Sequence, residues 1–578
     1  MSWLFGIVSS DITPDVVSKV KKFLPDSLYT YQSQNTYIVC GGLKETCLSS
    51  LKMRNKDNTY KSWIVCGIGI SPETGEQKHV LTTNDWDAIF QQSEPCLDTI
   101  EGHFVALVWN KNRMMGYVDS RGIRDVYIAK HKQHIIFSTR FDWLARFGLS
   151  CSIDFSRFGS RWLAFNQFSH KSIVRPVERL GPGARLEMSE DHYAIHRPDR
   201  IHLPHINQSL DTVISSLTTF PVRAGYTIIT CLSGGVDSRV LLSILLSVPR
   251  ELWKVCIFGE RHHPDVAVAH RIVNDLRLPY IHLDEEIPEE SSIVQRMRIF
   301  VIHTQCVSPA TDAIRLGSYN QMYGSKNIVI DGAFGEIMRR TYFNRLLMSG
   351  KNALLSGSAQ KIAPYLRSPR ADIFNSDVSQ IMHTGLVEDI SALWQKFPKK
   401  DWIHSAENIL DLIAINTRLS NLFGPEVSRL DHVVLNYMPF AQPSFLTAVL
   451  QSPLQLRKNG HFSKAYIKKR KHILTKYPLV KNTVTYPFVM FHPVLIRLVK
   501  ELQQLFGVSY HDSVQIEILK KLETFIRDIV SSKSTRSYAP YNIEKIDTII
   551  DKFFHGEYDY ADDVSWWLSF ELWRRHVC

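Results

Sequence analysis

The sequence lacks long apolar runs, spaced cysteine pairs and internal repeats. Without a run of about 18 apolar residues we expect no transmembrane helix, and the opening MSWLFGIVSSD lacks the basic and apolar regions of a secretory signal. None of the nine cysteines forms a CxxC pair. We therefore expect reduced thiols in a cytoplasmic protein, with neither a disulfide framework nor a zinc site.

The composition is that of a globular protein with more than one domain. The chain has 578 residues, of which 44% are hydrophobic and 22% charged; this length exceeds one ordinary core and this balance excludes whole-chain disorder. The net charge is +11, but the only dense basic cluster is Lys468–Lys471 with Lys476 and Lys481 nearby. We therefore expect no nucleic-acid partner.

The pattern of predicted secondary structure changes near residue 200. In the first 200 residues, short β-branched runs end at Gly, Asn or Asp, which is typical of strands. A polar segment with two prolines at 195–212 then indicates a boundary, so we predict domains at 1–200 and 201–578. Beyond it, strands predicted at 226–232, 252–258, 280–283 and 327–330 alternate with helices, which indicates a parallel sheet covered on both faces. Helical patterns dominate from about residue 400.

The segment SGGVDS at 233–238 follows a predicted strand and opens a helix. Gly234 and Gly235 permit a tight turn whose N–H groups can converge on an anion at the helix N-terminus. Asp237 would repel phosphate unless it held Mg²⁺. The plain alternative is a strand–turn–helix joint capped by Ser and Asp. The loop lacks the GK[ST] ending of a Walker A motif, which argues against a P-loop enzyme.

This hexapeptide resembles the signature of ATP-pyrophosphatases, which cleave ATP between its α- and β-phosphates. Further segments are similar, in the same order, to those of asparagine synthetase-like ligases: EGHFVALVW at 101–109, DSRGIRDVY at 119–127, IFSTR at 136–140, LGPGARL at 180–186, DGAFGEI at 331–337 and YMPF at 437–440. The resemblance spans roughly residues 1–500 and leaves the tail unassigned.

The resemblance implies two domains. The first would be a β-rich, glutaminase-like domain of the Ntn-hydrolase kind, and the second a parallel-sheet synthetase domain with a helical C-terminal part. ATP would contact Leu232, Ser233, Gly234, Gly235, Asp237, Ser238, Phe258, Gly259 and Gly335. Mg²⁺ would lie between Asp237 and Glu336, and Glu336 would also be catalytic; the alternative for Glu336 is a cap on the helix predicted at 337–347. The catalytic cation would be Lys481, with Lys464 as second choice; a solvated basic helix is the alternative for both.

Two departures from the family pattern bear on function. Glutamine-dependent members begin Met-Cys-Gly-Ile, and the freed N-terminal Cys is the nucleophile. Here Phe5 stands at that place with four residues before it, so we expect no glutaminase activity. The family's PFLD has become Pro439-Phe440-Ala441-Gln442, which weakens the case for aspartate as substrate.

A lost glutaminase beside an intact ATP loop resembles the β-lactam synthetases and the lasso peptide cyclases. We expect a lasso-type macrolactam synthetase that joins a peptide's N-terminal amine to an Asp or Glu side chain. Its partners would be a precursor core peptide, a leader-processing protease and a leader-binding protein. The alternatives are a β-lactam synthetase-type ligase, an ammonia-using asparagine synthetase, or a catalytically silent binding module.

Overall fold

The structure, a computed structural model, describes residues 2–54, 60–72, 77–92, 94–110, 113–199, 203–204, 206–284, 286–324, 326–339, 342–397, 406–430, 433–481, 484–489 and 513–577. Within these ranges no helix is both long and apolar enough to span a bilayer.

The first part of the chain forms two antiparallel sheets. Their strands are β1 Trp3–Val8, β2 Tyr29–Gln32, β3 Thr36–Gly41, β4 Cys47–Arg54, β5 Tyr60–Ile70, β6 Glu101–Trp109, β7 Met114–Val118, β8 Tyr127–His131, β9 His134–Ser138, β12 Glu178–Arg179, β13 Arg185–Met188 and β14 Tyr193–His196, with a separate small pair β10 Ser152–Ile153 and β11 Val174–Arg175. One sheet has the order β12-β8-β9-β1-β3-β2 and the other β14-β13-β7-β6-β5-β4.

The two sheets face each other across an apolar layer. Residues from both, such as Leu4 and Ile38 of the first and Leu107 of the second, share one buried cluster. Alternate residues of each strand therefore point into this layer. Four helices accompany the sheets: α1 Pro14–Lys21, α2 Thr83–Phe90, α3 Phe141–Arg146 and α4 Phe155–Leu163.

The second part is built on a parallel sheet. Its strands are β15 Thr227–Cys231, β16 Trp253–Phe258, β17 Tyr280–Leu283, β18 Asn327–Ile330 and β19 Leu435–Tyr437, in the order β17-β16-β15-β18-β19. All four pairings are parallel. The predicted order, in which a β-rich part is followed by a parallel-sheet part, is confirmed. The change of architecture lies between the end of β14 and the start of the next helix at Leu210.

Helices cover this sheet and form the remainder of the chain. They are α5 Leu210–Arg223, α6 Val236–Leu245, α7 Pro264–Asp275, α8 Glu290–Thr304, α9 Asn344–Ser349, α10 Lys351–Ser356, α11 Ala359–Leu366, α12 Ser376–Gln395, α13 Ala406–Arg418, α14 Gly424–Leu430, α15 Pro443–Gln451, α16 Leu454–Arg457, α17 His461–Arg470, α18 Ser513–Lys521, α19 Glu523–Ser531, α20 Lys533–Arg536, α21 Ile543–Phe554 and α22 Ala561–Val577. A hairpin of β20 Leu479–Lys481 and β21 Val484–Tyr486 follows α17.

The C-terminal tail is part of the core. Trp573 of α22 stacks on Phe158 of α4, with ring centroids 5.8 Å apart and planes within 9°. The buried carboxylate of Glu571 accepts hydrogen bonds from Tyr541, Arg574 and Arg575. The tail that the resemblance left unassigned therefore packs against the N-terminal part.

Gln442 joins the two parts of the chain. Its Oε1 accepts the backbone N–H of Gly102 in β6 over 2.7 Å, and its Nε2 donates to the carbonyl of Met438 over 2.7 Å. Two residues on, the N–H of Ser444 donates to Glu101, which forms a buried ion pair with Lys78. Gln442 thus holds the second antiparallel sheet to the parallel-sheet part.

Candidate active site

The SGGVDS loop lies where the strand order of the parallel sheet reverses. From β15 the chain proceeds outward to β16 and β17, and then returns to place β18 on the other side of β15. The loops after two such neighbouring strands diverge and leave a crevice at their carboxyl ends, which is the usual ligand site of an open parallel sheet. The segment 232–235 follows β15 and the segment 331–335 follows β18, so both line this crevice.

Two glycines allow these loops to touch. A Cβ on Gly335 would lie 2.7 Å from the Cβ of Asp237, and one on Gly332 would lie 2.8 Å from the backbone nitrogen of Ser238. Neither approach is compatible with a larger residue unless the backbone moves. The segment 331–335, which we call the acidic loop, is therefore held directly against the first turn of α6.

Within the hexapeptide, the two serines close the turn. The Oγ atoms of Ser233 and Ser238 lie 3.2 Å apart, and Ser238 Oγ also accepts the backbone N–H of Ser233 over 3.2 Å. The N–H of Gly235, the N-cap residue of α6, donates to Ser233 Oγ over 3.2 Å. The first N–H groups of a helix have no partner within it and can bind an anion. At this turn the serine hydroxyls accept the N–H groups of Ser233 and Gly235, so an anion would have to replace them.

Asp237 is paired with an arginine that the sequence did not single out. Arg339 donates from Nε to Oδ1 over 3.0 Å and from Nη2 to Oδ2 over 2.5 Å, and both side chains are nearly buried, at 13% and 14% exposure. Burial raises the pKa of Asp237 to about 6; Arg339 opposes this rise and the charge of Glu336 adds to it. The signal in the sequence was a basic residue three positions after Glu336.

Glu336 lies beside this pair on the turn Gly335–Arg339. Its Oε2 accepts the hydroxyl of Tyr342 over 3.0 Å. Burial, and then the charge of Glu336, raise the pKa of Tyr342 well above its usual value. Tyr342 therefore remains a neutral hydrogen-bond donor that orients the carboxylate. The structure brings together the two carboxylates that the sequence assigned to Mg²⁺.

The hydrogen bonds of Asp237 show whether Mg²⁺ fits between Asp237 and Glu336. Both oxygens of Asp237 accept hydrogen bonds from Arg339, and a Mg²⁺ ion demands oxygen ligands in near-ideal octahedral geometry. The donor set does not fit a metal on Asp237 while the pair is closed, because the guanidinium occupies that side of the carboxylate. Mg²⁺ stays a prediction, and Arg339 is the residue that must move before the ion can bind.

The two predicted lysines approach the loops from the C-terminal side. The N–H of Val480 in β20 donates to the carbonyl of Gly234 over 3.0 Å. The next residue, Lys481, therefore lies beside the SGGVDS loop. Desolvation by neighbouring protein atoms and the charge of Arg339 both lower the pKa of Lys481. Lys464 lies on α17 with its Nζ 5.6 Å from the ring centre of Phe488, and desolvation lowers its pKa to about 8.

Arg239, the residue directly after the hexapeptide, fastens the hairpin to the loop. Its fully buried guanidinium donates to the carbonyls of Gly234 over 3.1 Å and Tyr477 over 2.9 Å, and to that of Pro478. Sequence reasoning missed this residue, although a basic side chain at the start of a buried helix is unusual enough to have been noticed. Arg239 positions the loop but does not face the crevice.

The residues predicted near the adenine lie at the end of the adjacent strand. Phe258 ends β16, and its ring packs edge-on against Tyr319 at 5.7 Å. Gly259 has a φ of +102° and donates its N–H to the carbonyl of Leu283 over 3.0 Å. Leu232 directly precedes the SGGVDS loop and is 5% exposed. The expected adenine contacts therefore share one edge of the sheet with the loop.

Phe5 is a core residue. It lies in the middle of β1 with no exposed surface, and its ring packs against Phe23 at 5.7 Å and Phe147 at 6.4 Å. A phenyl ring offers no nucleophile, and the residue's nitrogen is part of the strand ladder opposite Val39. Position 5, which the resemblance compares with a catalytic cysteine, is thus part of the apolar core.

No family model matches the chain, and no curated protein is found to be similar to it. Solved structures similar to it include glutamine phosphoribosylpyrophosphate amidotransferase from B. subtilis complexed with ADP and GMP, at 10% identity and a TM-score of 0.23, covering 49% of this chain and 65% of that one. A structure described as the allosteric regulatory enzyme of purine biosynthesis is 11% identical with a TM-score of 0.24, covering 51% and 77%. At these values the likeness assigns no site and no activity to this chain.

Proposed function

We propose that this protein is an ATP-dependent, AMP-forming amide ligase that adenylylates a carboxylate and closes an intramolecular amide. The observation that carries the proposal is the position of residues 233–238 at the reversal point of the parallel sheet, with the acidic turn packed on Asp237. A generic helix cap needs no second loop against it. A nucleotide site needs both an anion cradle and charged groups beside it.

The chain's own residues would act on the nucleotide in two ways. The serine hydroxyls and N–H groups at the start of α6 would bind the phosphates. Arg339 and Lys481 would supply positive charge where the leaving pyrophosphate becomes more negative. A cation or donor placed at such a developing charge is worth about 3–4 kcal/mol of transition-state stabilisation.

The second step joins an amine to the activated carboxyl group. The amine nitrogen attacks the acyl carbon, the bond to the AMP oxygen breaks, and the amine loses one proton. Glu336, held by Tyr342, is the carboxylate in this crevice that could accept the proton. An α-amine has a pKa of about 7.7–8.0, against about 10.4 for lysine, so part of it is already neutral near pH 7.

The finer proposal is a lasso-type peptide cyclase. Phe5 replaces the residue that would release ammonia from glutamine, so the amine has to come with the substrate or from solution. A peptide that carries both an N-terminal amine and an Asp or Glu side chain meets this requirement. The N-terminal sandwich would then be an Ntn-hydrolase-like domain kept for structure. The precursor core peptide, a leader-processing protease and a leader-binding protein would be its partners.

The closed Asp237–Arg339 pair favours a second candidate, a catalytically silent module that keeps the fold for assembly with partners. In that case the pair would be a permanent structural ion pair. Small-molecule ligases of the β-lactam synthetase or ammonia-using asparagine synthetase type share the same first step and differ only in the amine and carboxylate they accept.

Mass spectrometry of the purified protein with Mg·ATP and a candidate core peptide tests the proposal. A cyclase yields a peptide lighter by one water that resists carboxypeptidase trimming of its ring. A parallel reaction with aspartate and ammonia would yield asparagine if the protein is a small-molecule ligase. If neither product forms although ATP binds, the silent module is favoured and the cyclase proposal fails for that peptide.

A further inference from the structure

Three cysteines from three different strands meet inside the N-terminal sandwich. Cys40 lies on β3 of the first sheet, and Cys47 and Cys66 lie on β4 and β5 of the second. None has any exposed surface. Their Sγ atoms all lie within 4.8 Å of one another, and among the described residues this is the one group of three or more His, Cys, Asp or Glu ligand atoms that converges in this way.

The register of the strands explains the convergence. Cys47 and Cys66 are directly opposite each other in the antiparallel pair β4–β5, which places their Cβ atoms about 4.5–5.5 Å apart on one face of the sheet. Cys40 reaches the same point from the facing sheet, across the apolar layer that all three share. Because the spacing along the chain matches no metal motif, the sequence argued against a metal site here.

We propose that Cys40, Cys47 and Cys66 bind one soft cation of the Zn²⁺ or Cu⁺ class as three thiolates, and that the ion ties the two sheets together. Thiolate sulfur selects these ions. With metal–sulfur bonds of about 2.3 Å, three ligands around one ion have sulfur–sulfur distances of about 4 Å. The observed upper limit of 4.8 Å requires shifts of only a fraction of an ångström.

Binding exchanges three protons for the ion. In the protonated form Cys47 donates to the carbonyl of Gly41 over 3.1 Å, and Cys66 donates to that of Trp3 over 3.5 Å. When the ion binds, all three S–H bonds break, three protons pass to solvent and three metal–sulfur bonds form. A Zn²⁺ site then carries one net negative charge and a Cu⁺ site two.

Arg124 supplies positive charge near the proposed site. Its guanidinium donates to the carbonyl of Ser2 over 2.9 Å, next to Trp3, whose carbonyl accepts Cys66. This charge would offset part of the negative charge of the metal site.

The burial of the three sulfurs determines how the test is done. Because none is exposed, the ion has to enter while the sandwich folds, and metal binding then adds directly to folding stability. The full chain is unfolded in denaturant with a chelator and a reductant. It is then refolded without metal, with Zn²⁺, or with Cu⁺ held by a weak competing ligand. Metal content is read by elemental analysis and unfolding by denaturant titration.

The proposal expects one equivalent of Zn²⁺ or of Cu⁺ after refolding, and a higher unfolding midpoint than in the metal-free sample. Cobalt as a probe should show thiolate-to-metal absorption, and Cys47→Ser should weaken binding by at least about 10-fold. Cys256→Ser is the matched control, because Cys256 is equally buried but lies in the parallel sheet. It should bind as the wild type does.

Three results would overturn the proposal. The first is wild-type protein that refolds and holds less than half an equivalent of either ion. The second is stoichiometric binding that survives in Cys47→Ser and in Cys40→Ala, which covers the case that one variant fails to fold. The third is equal loss of binding in Cys256→Ser. The readouts need no ligase activity, so this inference stands or falls independently of the proposed function.

Discussion

Replacing Asp237 with asparagine should change how the stability of the fold depends on pH. Burial raises the pKa of Asp237 from 3.8 to about 6 even though Arg339 faces it. The folded wild type therefore loses stability as the pH rises through about 6, by about 1.4 kcal/mol at most for each unit by which the pKa is raised. Asp237→Asn has no carboxyl to ionise, but it leaves the nearly buried guanidinium of Arg339 without a counter-ion, which costs stability by itself.

The pH dependence of the difference gives the sign check. Because the folded pKa lies above the unfolded one, the favourable contribution of the protonated carboxyl is complete below pH 3.8 and is lost as the pH rises through about 6. The unfolding midpoint of the wild type, taken relative to that of the variant, should therefore be highest at the acid end. It should fall as the pH rises through about 6 and stay constant above about pH 7.

Asp211→Asn provides a control of opposite sign. Asp211 also pairs with an arginine, Arg470, at 2.5 Å. Burial raises its pKa, but Arg470 outweighs burial and lowers it, so this variant should lose stability at neutral pH. Phosphorus NMR should show AMP formation falling by at least about 10²-fold in Asp237→Asn, because Arg339 loses the carboxylate that holds it beside the proposed phosphate site. AMP formation should stay unchanged in Asp211→Asn. A stability difference that does not change with pH, or an Asp237→Asn variant that cleaves ATP normally, would refute the reasoning.

Further variants address the cations, the lost nucleophile and the loop clamp. Lys481→Ala should slow AMP formation by about 10²–10³-fold in single-turnover assays, with a smaller loss in Lys464→Ala; the reverse ranking would move the cationic role to α17. Phe5→Cys should release no glutamate from glutamine, because its nitrogen stays within a strand; glutamate above background would contradict this. Arg239→Met removes the Arg239 donor from the carbonyls of Tyr477 and Pro478 and should cost about 2–4 kcal/mol in urea unfolding; a loss below about 1 kcal/mol would show that the clamp is not needed.

The order of strands β15 to β18 was predictable, because each strand is short, buried and followed closely by a glycine or a charged residue. The strand predicted at 226–232 is β15, and those at 252–258, 280–283 and 327–330 coincide with β16, β17 and β18 to within one residue. Continuous apolar runs ending in glycine or a charged residue leave few alternatives. The fifth strand, β19, was not predicted, since three residues carry no periodicity and the strand exists only by pairing with β18.

The candidate site was predictable where its chemistry is local in sequence. The hexapeptide, Glu336 and Lys481 were named from motifs and from their resemblance to those of a family. Arg339 could not, because its importance comes from the contact of two loops that glycines allow, which is a tertiary fact. The cysteine cluster was missed for the same reason, since its members belong to three strands of two sheets.

The packing of the tail was equally beyond the sequence. Helical patterns were predicted from about residue 400 onward, but the stacking of Trp573 on Phe158 depends on where the chain returns. Aromatic residues in a sequence indicate burial, but they do not show which residue each ring packs against. For the same reason Gln442, noted as a departure from the family, gave no sign that it binds the backbone of β6.

The most direct test of the central claim is to identify the phosphorus products formed from Mg·ATP by the wild-type protein, with and without a candidate core peptide. The account predicts AMP and pyrophosphate in equal amounts, only with the peptide, because the loop at 233–238 directs cleavage between the α- and β-phosphates. ADP and inorganic phosphate in their place would show that the loop does not act as an ATP-pyrophosphatase site and would contradict the account.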